Sequence, residues 1–285
     1  MEYLKRGLNR SLDAIKKRKL LFTSICVLQI ILFIGIVFLL LIFEVRILND
    51  VKGIMEPLQD TGNQIQSVDD LQDSMKLFLP VIQSYKSLKT NILSLLGYLT
   101  LIFLVPQAWL WILTQQLFEN KSTSLKTKLI IFGQQWLKYV LFSIVLFGPI
   151  FLGIYFMIKN VLTFGLESIL VLKIPAIIIT AGLYYLLLIS FAFLGDKSWK
   201  IFFNHFLKAA IKRIDLTLPI LLINLIIVSL WGFLLKNMLY ISDLEITGKF
   251  FVTLLVILIF ISSFVFTRLF WIATLRELYH EKSNN

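Results

Sequence analysis

Six long runs of apolar residues divide the chain, and polar or charged segments separate them. A helix needs about twenty apolar residues to cross the hydrocarbon core of a bilayer, and each run reaches that length. The runs are continuously apolar, whereas strands of a membrane β-barrel alternate apolar and polar positions. The pattern predicts an all-α polytopic membrane protein, folded as a single membrane domain over 1–285. The predicted transmembrane helices are 20–43, 92–113, 139–158, 169–194, 218–238 and 250–272.

Lysine and arginine are concentrated in alternate connections between these spans, and such an excess is typical of cytoplasmic segments. Seven basic residues precede the first span. The other two basic connections carry Lys121, Lys126, Lys128 and Lys138, and Lys197, Lys200, Lys208, Lys212 and Arg213. With an even number of spans, both termini are predicted to be cytoplasmic, in a multi-pass protein of the cell membrane.

A basic amphipathic segment precedes each outward-going span. The three segments begin near Leu4, Ser122 and Lys197, and each combines apolar residues at helical spacing with Lys or Arg on the other face. The sequence predicts three helical hairpins, each introduced by a cytoplasmic amphipathic helix, the first of them over 1–19. Internal duplication and convergence on the same topology signals both explain the likeness.

The segment 44–91 is long enough to project from the outer surface. Two apolar stripes recur within it at helical spacing, and Asp60-Thr61-Gly62-Asn63 has the composition of a turn. We expect an extracytoplasmic helical hairpin whose stripes face each other. The same surface also suits a protein partner or self-association. The stripes are Ile47, Val51, Ile54 and Leu58, and Val68, Leu71, Met75, Phe78, Ile82 and Tyr85.

Composition agrees with a membrane protein, since 58% of the 285 residues are hydrophobic and the mean hydropathy is +0.84. The formal charge of +11 resembles that of nucleic-acid-binding proteins. However, the basic residues flank apolar runs, where orientation in the membrane and attraction to anionic lipid head groups explain them. The predicted partner is therefore a bilayer with anionic head groups, and no nucleic acid.

Four polar side chains within the predicted spans are candidates for an intramembrane site. Arg268 lies toward the cytoplasmic end of the last span, where we expect its long side chain to reach the interface and anchor the helix. Asn224 and Gln29 are expected to form interhelical hydrogen bonds. Lys173 marks the outer boundary of the fourth span. Pro106, deep in the second span, either kinks its helix and frees backbone carbonyl groups or has no such role, since proline is common in membrane helices.

No enzyme motif is present: the chain has no HExxH, GxSxG, Walker A or GxGxxG pattern. His205 and His280 have no partner at metal-ligand spacing and are expected to be solvated. Cys26 is the single cysteine and falls within the first span, as a small packing or lipid-facing residue. We therefore predict no enzymatic activity, no catalytic residue, no cofactor and no metal.

The Lys-rich segments that lead into spans at Trp136-Leu137-Lys138-Tyr139 and Lys212-Arg213-Ile214-Asp215 give the chain a resemblance to known proteins. It resembles uncharacterised six-span integral membrane families of prokaryotes, of archaeal type. Loosely, it is similar to the membrane domain fused to some glycerophosphodiester phosphodiesterases. Because no phosphodiesterase domain accompanies it here, the resemblance implies a fold and no activity.

Two functions follow as hypotheses. The first is a non-enzymatic membrane protein that organises lipid or protein partners, as the basic amphipathic segments and the projection indicate. The alternative is a transporter or permease component for a small or lipophilic substrate. A water-accessible central cavity lined by Asn224, Arg268 or the proline kinks favours the alternative, and a solid helical core argues against it. The absence of a mid-span carboxylate argues against proton or cation coupling.

Overall fold

A computed structural model of the chain describes residues 2–64, 70–118, 125–159, 178–196, 198–239 and 246–280. In these ranges every regular element is a helix. Two of them are five-residue π-helical turns, at Phe103–Gln107 and Lys208–Lys212. The helices are α1 (Glu2–Lys17), α2 (Lys19–Gln64), α3 (Asp70–Ile102), α4 (Ala108–Gln116), α5 (Leu125–Lys159), α6 (Ile178–Ala192), α7 (Trp199–Leu207), α8 (Ile214–Leu239) and α9 (Ile246–His280).

Five helical stretches of the described chain are long and apolar enough to cross a membrane. They contain two of the six predicted spans, 20–43 and 92–113, and overlap three others, 139–158, 218–238 and 250–272. The predicted span 169–194 corresponds to α6, which is apolar but shorter in its described part, and residues 160–177 lie outside that part. The stretches are Lys19–Pro57, Leu79–Gln116, Lys126–Pro149, Ile214–Leu234 and Leu254–Tyr279.

The first predicted span and the start of the projection form one helix, because α2 continues without a break from Lys19 to Gln64. The predicted turn at Asp60–Asn63 is therefore wrong. A glycine inside a helix destabilises it by only about 1 kcal/mol relative to alanine. The single glycine of this segment, Gly62, is therefore compatible with a continuous helix. Pro80 likewise lies inside α3, without ending it.

Helices α2 and α3 run antiparallel and contact each other between residues 43–53 of α2 and 84–98 of α3. The Phe43 and Tyr98 rings lie 5.9 Å apart, and Asn91 donates a hydrogen bond of 2.7 Å to Asp50. The predicted stripes face each other only in part, because Val51 and Ile82 are exposed. Val68 falls outside the described residues, and the structure does not describe the side chains of Leu58, Leu71, Met75 and Phe78.

Two of the three predicted amphipathic segments form separate helices. The first, α1, ends just before α2 begins, and the third, α7, is separated from α8 by the π-helical turn and by Arg213, whose φ of −129° and ψ of 36° interrupt the helix. The second is continuous with the span that follows it, as α5. The prediction of a separate amphipathic helix before the third span is therefore wrong.

Helix α1 packs against the last helix of the chain. Its small residues Gly7, Ser11 and Ala14 are buried, and a Cβ atom at Gly7 would lie 2.8 Å from the Cα atom of Thr274. Arg10 forms an ion pair with Glu277 next to this close approach. The small face of α1 thus holds it on α9, while Leu8 and Leu12 stay exposed.

Helix α9 is the central helix of the bundle. Half of its apolar stretch is buried, against at most 22% for the other four stretches. One side of α9 packs into a cluster with α4, α5, α6, α7 and α8, where Phe270, Trp271 and Leu275 are buried. The other side, at Val265 and Leu269, packs against α1, α2 and α4. Arg268 lies between these two clusters.

Candidate functional site

Arg268 is buried inside the helical bundle, with 4% of its surface exposed. Its guanidinium carbon lies 5.0 Å from the centre of the Trp111 ring and 5.4 Å from that of Phe264. The expected extension toward the membrane interface is wrong, because α9 turns this side chain toward α2 and α4. Cation–π contacts of this kind contribute roughly 0.5–2 kcal/mol each, less than the cost of burying an unpaired charge.

Hydrogen bonding satisfies the Arg268 guanidinium incompletely. Nη2 donates a bond of 2.8 Å to Oε1 of Gln29 on α2. Nε and Nη1 have no hydrogen-bond partner among the residues that the structure describes, and no carboxylate in those residues forms an ion pair with Arg268. Arginine stays protonated in proteins, so the site carries a positive charge. The N–H groups on Nε and Nη1 are donors that no described residue uses.

A cavity of about 140 Å³ lies beside this guanidinium. Its walls come from the α3–α4 junction, α6, α8 and α9. An engineered cavity of about this size binds a molecule as large as benzene, so the space admits a small group rather than a whole lipid. The lining residues are Phe103, Gln107, Trp111, Tyr184, Leu187, Leu188, Phe191, Leu221, Asn224, Leu225, Val228, Phe264, Thr267, Arg268 and Trp271.

One wall of the cavity is built by the π-helical turn around Pro106. Proline has no N–H group and crowds the preceding turn, which is why the α-helical pattern is interrupted here. Helix α5 then satisfies backbone groups of the turn: Tyr139 donates to the Phe103 carbonyl at 3.1 Å and Trp136 to the Leu104 carbonyl at 3.2 Å. The widened turn places both of its end residues, Phe103 and Gln107, on the cavity wall.

The cavity also contains an amide with an unused polar atom. Asn224 lies on its α8 wall, and the Oδ1 atom of Asn224 is buried without a hydrogen-bond partner in the described residues. Oxygen and nitrogen of an asparagine amide exchange places by a half-turn, so this side chain presents either an acceptor or a donor. Within the part of the chain that the structure describes, Oδ1 therefore does not make the interhelical hydrogen bond expected of Asn224.

The structure brings three of the four candidate residues together. Arg268 and Asn224 line the cavity, and Gln29 holds the guanidinium from the α2 side. Gln29 thus forms the kind of interhelical hydrogen bond that the sequence predicts. Lys173 lies outside the described residues.

The remaining lining is mostly aromatic and aliphatic. Trp271 uses its indole N–H in a bond of 2.9 Å to the Leu188 carbonyl, and Thr267 donates to the Phe264 carbonyl at 2.8 Å. The described lining includes no histidine, cysteine or carboxylate side chain, so it offers no imidazole or carboxylate base and no thiol nucleophile. The arrangement is suited to holding an anion in an apolar pocket.

A second cluster of polar side chains lies next to the cavity, at the C-terminal end of α6. The sequence did not indicate this cluster. Gln115 is fully buried and donates to the carbonyls of Phe191 and Ala192 at 2.7 and 3.1 Å, while its Oε1 accepts from Arg276. These carbonyls end a helix and have no partner within it. Gln115 therefore caps α6 from α4.

Lys138 and His205 complete this cluster of polar side chains. Lys138 is buried, donates to the backbone carbonyl of Asp196 and lies 5.5 Å from the Phe202 ring. The expectation of a solvated His205 is wrong, since its side chain is 20% exposed and its Nδ1 lies 3.0 Å from an Asp196 carboxylate oxygen. Cys26 is buried between helices, as a packing residue.

Comparisons with known proteins give no relative: no family model, no curated protein and no solved structure matches the chain. The resemblance to six-span prokaryotic membrane families stays a prediction.

Proposed function

We propose that this chain is a non-enzymatic integral membrane protein that binds an anionic ligand inside its helical bundle, with Arg268 as the counter-ion. In the proposed arrangement six spans cross the cell membrane and both termini are cytoplasmic. Five long apolar helices and the alternation of basic connections support this placement. Of the two sequence hypotheses, it develops the one in which the protein organises lipid.

The observation that carries the proposal is a buried positive charge, without a carboxylate partner in the described residues, beside a cavity. Leaving one charge of a buried pair uncompensated costs about 3–5 kcal/mol. Charged residues within membrane helices mark ligand or ion sites for this reason. A bound anion supplies the missing partner, so its electrostatic gain offsets the cost of burying the guanidinium.

The proposal is tested with the purified protein in a neutral detergent. Four anions are added in turn: oleate, oleoyl lysophosphatidate, inorganic phosphate and acetate. The thermal midpoint of unfolding is measured for the wild type, for Arg268→Met and for Arg46→Met. Arg46 is the matched control, because its guanidinium lies 5.5 Å from an aromatic ring, that of Phe43, but on an exposed surface.

At least one anion is expected to stabilise the wild type and the control but not Arg268→Met. An anion at one hundred times its dissociation constant stabilises by about 2.7 kcal/mol. Without anion, Arg268→Met is expected to unfold at the same temperature as the wild type or higher, because methionine removes an unpaired charge. Equal stabilisation of all three proteins, or of none, contradicts the proposal.

A transporter or permease for the same anion is the second candidate. The observation that favours it is the cavity wall formed by the π-helical turn at Phe103–Gln107, since interrupted helices line the substrate sites of many transporters. Proteoliposomes separate the two functions. Arg268-dependent movement of the stabilising anion across the bilayer supports a permease, whereas binding without movement supports a receptor or organiser.

A further inference from the structure

Part of the lining of the cavity is exposed at the surface of the bundle. Two of its lining residues are exposed large side chains: Tyr184 on α6, at 43%, and Leu225 on α8, at 46%. Because Tyr184 and Leu225 are exposed and Arg268 is only 4% exposed, we take the gap between Tyr184 and Leu225 as the mouth of the cavity. A ligand that reaches the guanidinium by this route passes between α6 and α8.

The surface around this mouth is apolar. Ile178 and Ile179 on α6 and Leu222 and Ile226 on α8 are each at least half exposed. The sequence of α6 over 178–192 has no charged residue. The charged residues of α8, Asp215 and Lys236, lie near the two ends of that helix. Such a surface faces lipid rather than water, so a small hydrated anion has no polar path along it.

The depth of the site is compatible with a molecule that belongs to the bilayer. Arg268 lies four residues before the end of the predicted span at Ile272, which is about 6 Å at 1.5 Å per residue. Asn224 lies six residues after the start of its span, or about 9 Å. A lipid head group at the interface reaches such a depth by a displacement of one to two helical turns.

We infer that the anion is the oxyanion head, carboxylate or phosphate, of a single-chain acyl amphiphile that enters the cavity from the bilayer between Tyr184 and Leu225. This inference rests on the proposed function. The head accepts hydrogen bonds from Nε and Nη1 of Arg268, and the amide of Asn224 contacts it from α8. The acyl chain stays outside, along the exposed faces of α6 and α8, because a cavity of about 140 Å³ holds the head and few methylene groups.

The test uses the whole chain, residues 1–285, in nanodiscs of neutral phosphatidylcholine. Native mass spectrometry measures ligand binding to the wild type and to Arg268→Met, and the difference between them is the Arg268-dependent binding. The probes are oleate and oleoyl lysophosphatidate, with uncharged monoolein and inorganic phosphate as comparisons. Leu225→Trp narrows the mouth. Leu230→Trp is its matched control, because Leu230 is an exposed leucine of the same helix outside the cavity lining. Tyr184→Ala widens the mouth from the other side and serves as a second variant.

Either acyl anion is expected to bind the wild type and Leu230→Trp alike, at least tenfold more weakly to Leu225→Trp, and faster to Tyr184→Ala. Binding of oleate alone identifies a carboxylate head, and binding of the lysophosphatidate alone identifies a phosphate. Arg268-dependent binding of inorganic phosphate as tight as that of the amphiphiles overturns the inference and leaves the proposed function standing. Equal binding to the two tryptophan variants also overturns it, since the mouth then lies elsewhere. If uncharged monoolein binds as tightly as oleate, the negative charge of the ligand does not contribute to binding. That result overturns both this inference and the proposed function.

Discussion

The amide oxygen of Gln29 accepts a hydrogen bond of 2.8 Å from Nη2 of Arg268, and this bond joins the first long helix to the last. It leaves the two other nitrogens of the guanidinium, Nε and Nη1, buried and without a hydrogen-bond partner in the described residues. A neutral acceptor at this position orients the charge without neutralising it.

Replacing Gln29 by glutamate is therefore expected to place a counter-ion inside the protein. A carboxylate at hydrogen-bonding distance neutralises Arg268, so Gln29→Glu is expected to raise the thermal midpoint of the anion-free protein. The same change weakens anion binding at least tenfold, because the internal carboxylate repels and replaces the ligand. Thermal unfolding with and without oleate measures both effects.

Gln134→Glu provides the matched control, since Gln134 is an exposed glutamine on α5. It is expected to change neither the midpoint nor the anion response. Gln29→Leu tests the hydrogen bond alone and is expected to destabilise by about 1–3 kcal/mol, because it leaves another donor of a buried charge unsatisfied. Undiminished anion binding by Gln29→Glu contradicts the assignment of Arg268 as the counter-ion.

The cap on α6 predicts different results for two adjacent glutamines. Gln115→Leu removes the donor for the carbonyls of Phe191 and Ala192 and is expected to lower the free energy of unfolding by about 2–4 kcal/mol. Gln116→Leu, with a half-buried side chain at the next position, is expected to change it by less than about 0.5 kcal/mol. Denaturant unfolding in detergent measures both. Equal effects at the two positions exclude the cap.

The sequence predicted the long helices well because about twenty consecutive apolar residues are a strong signal that few other structures produce. It predicted local breaks poorly. The turn composition at Asp60–Asn63 is a local preference, and α2 continues through it alongside α3. The same weakness affected α5, in which the amphipathic segment and the span form one helix.

The sequence located Arg268 as a candidate but assigned it the wrong role. Position along a helix gives depth in the membrane, whereas burial depends on which face meets the neighbouring helices. Helix α9 is apolar on all sides, so no stripe marks its inner face. Gln115 was missed for a related reason, because the carbonyls that it caps lie on α6 and only the fold brings them to α4.

The close approach of α1 to α9 predicts a steric effect at Gly7. A valine there places its Cβ atom 2.8 Å from the Cα atom of Thr274, so either α1 or α9 has to move. Gly7→Val is expected to destabilise by about 1–3 kcal/mol and to release α1 for proteolysis. Gly133→Ala is the control, since nothing lies within 4 Å of a Cβ atom at this α5 position. Protection of α1 in Gly7→Val equal to that in the wild type contradicts this packing.

The proposed orientation predicts which ends of the first two helices are accessible from outside the cell. In a Cys26→Ser background, Gln59→Cys at the far end of α2 and Lys5→Cys on α1 each provide one exposed thiol. A membrane-impermeant maleimide applied to intact cells is expected to label position 59 and to label position 5 only after lysis, because the basic residues around α1 retain it in the cytoplasm. The lysed sample controls for reactivity at both positions. The opposite labelling inverts the topology and moves the Arg268 cavity from the inner to the outer leaflet, so the bilayer-facing mouth then draws its ligand from outer-leaflet lipids.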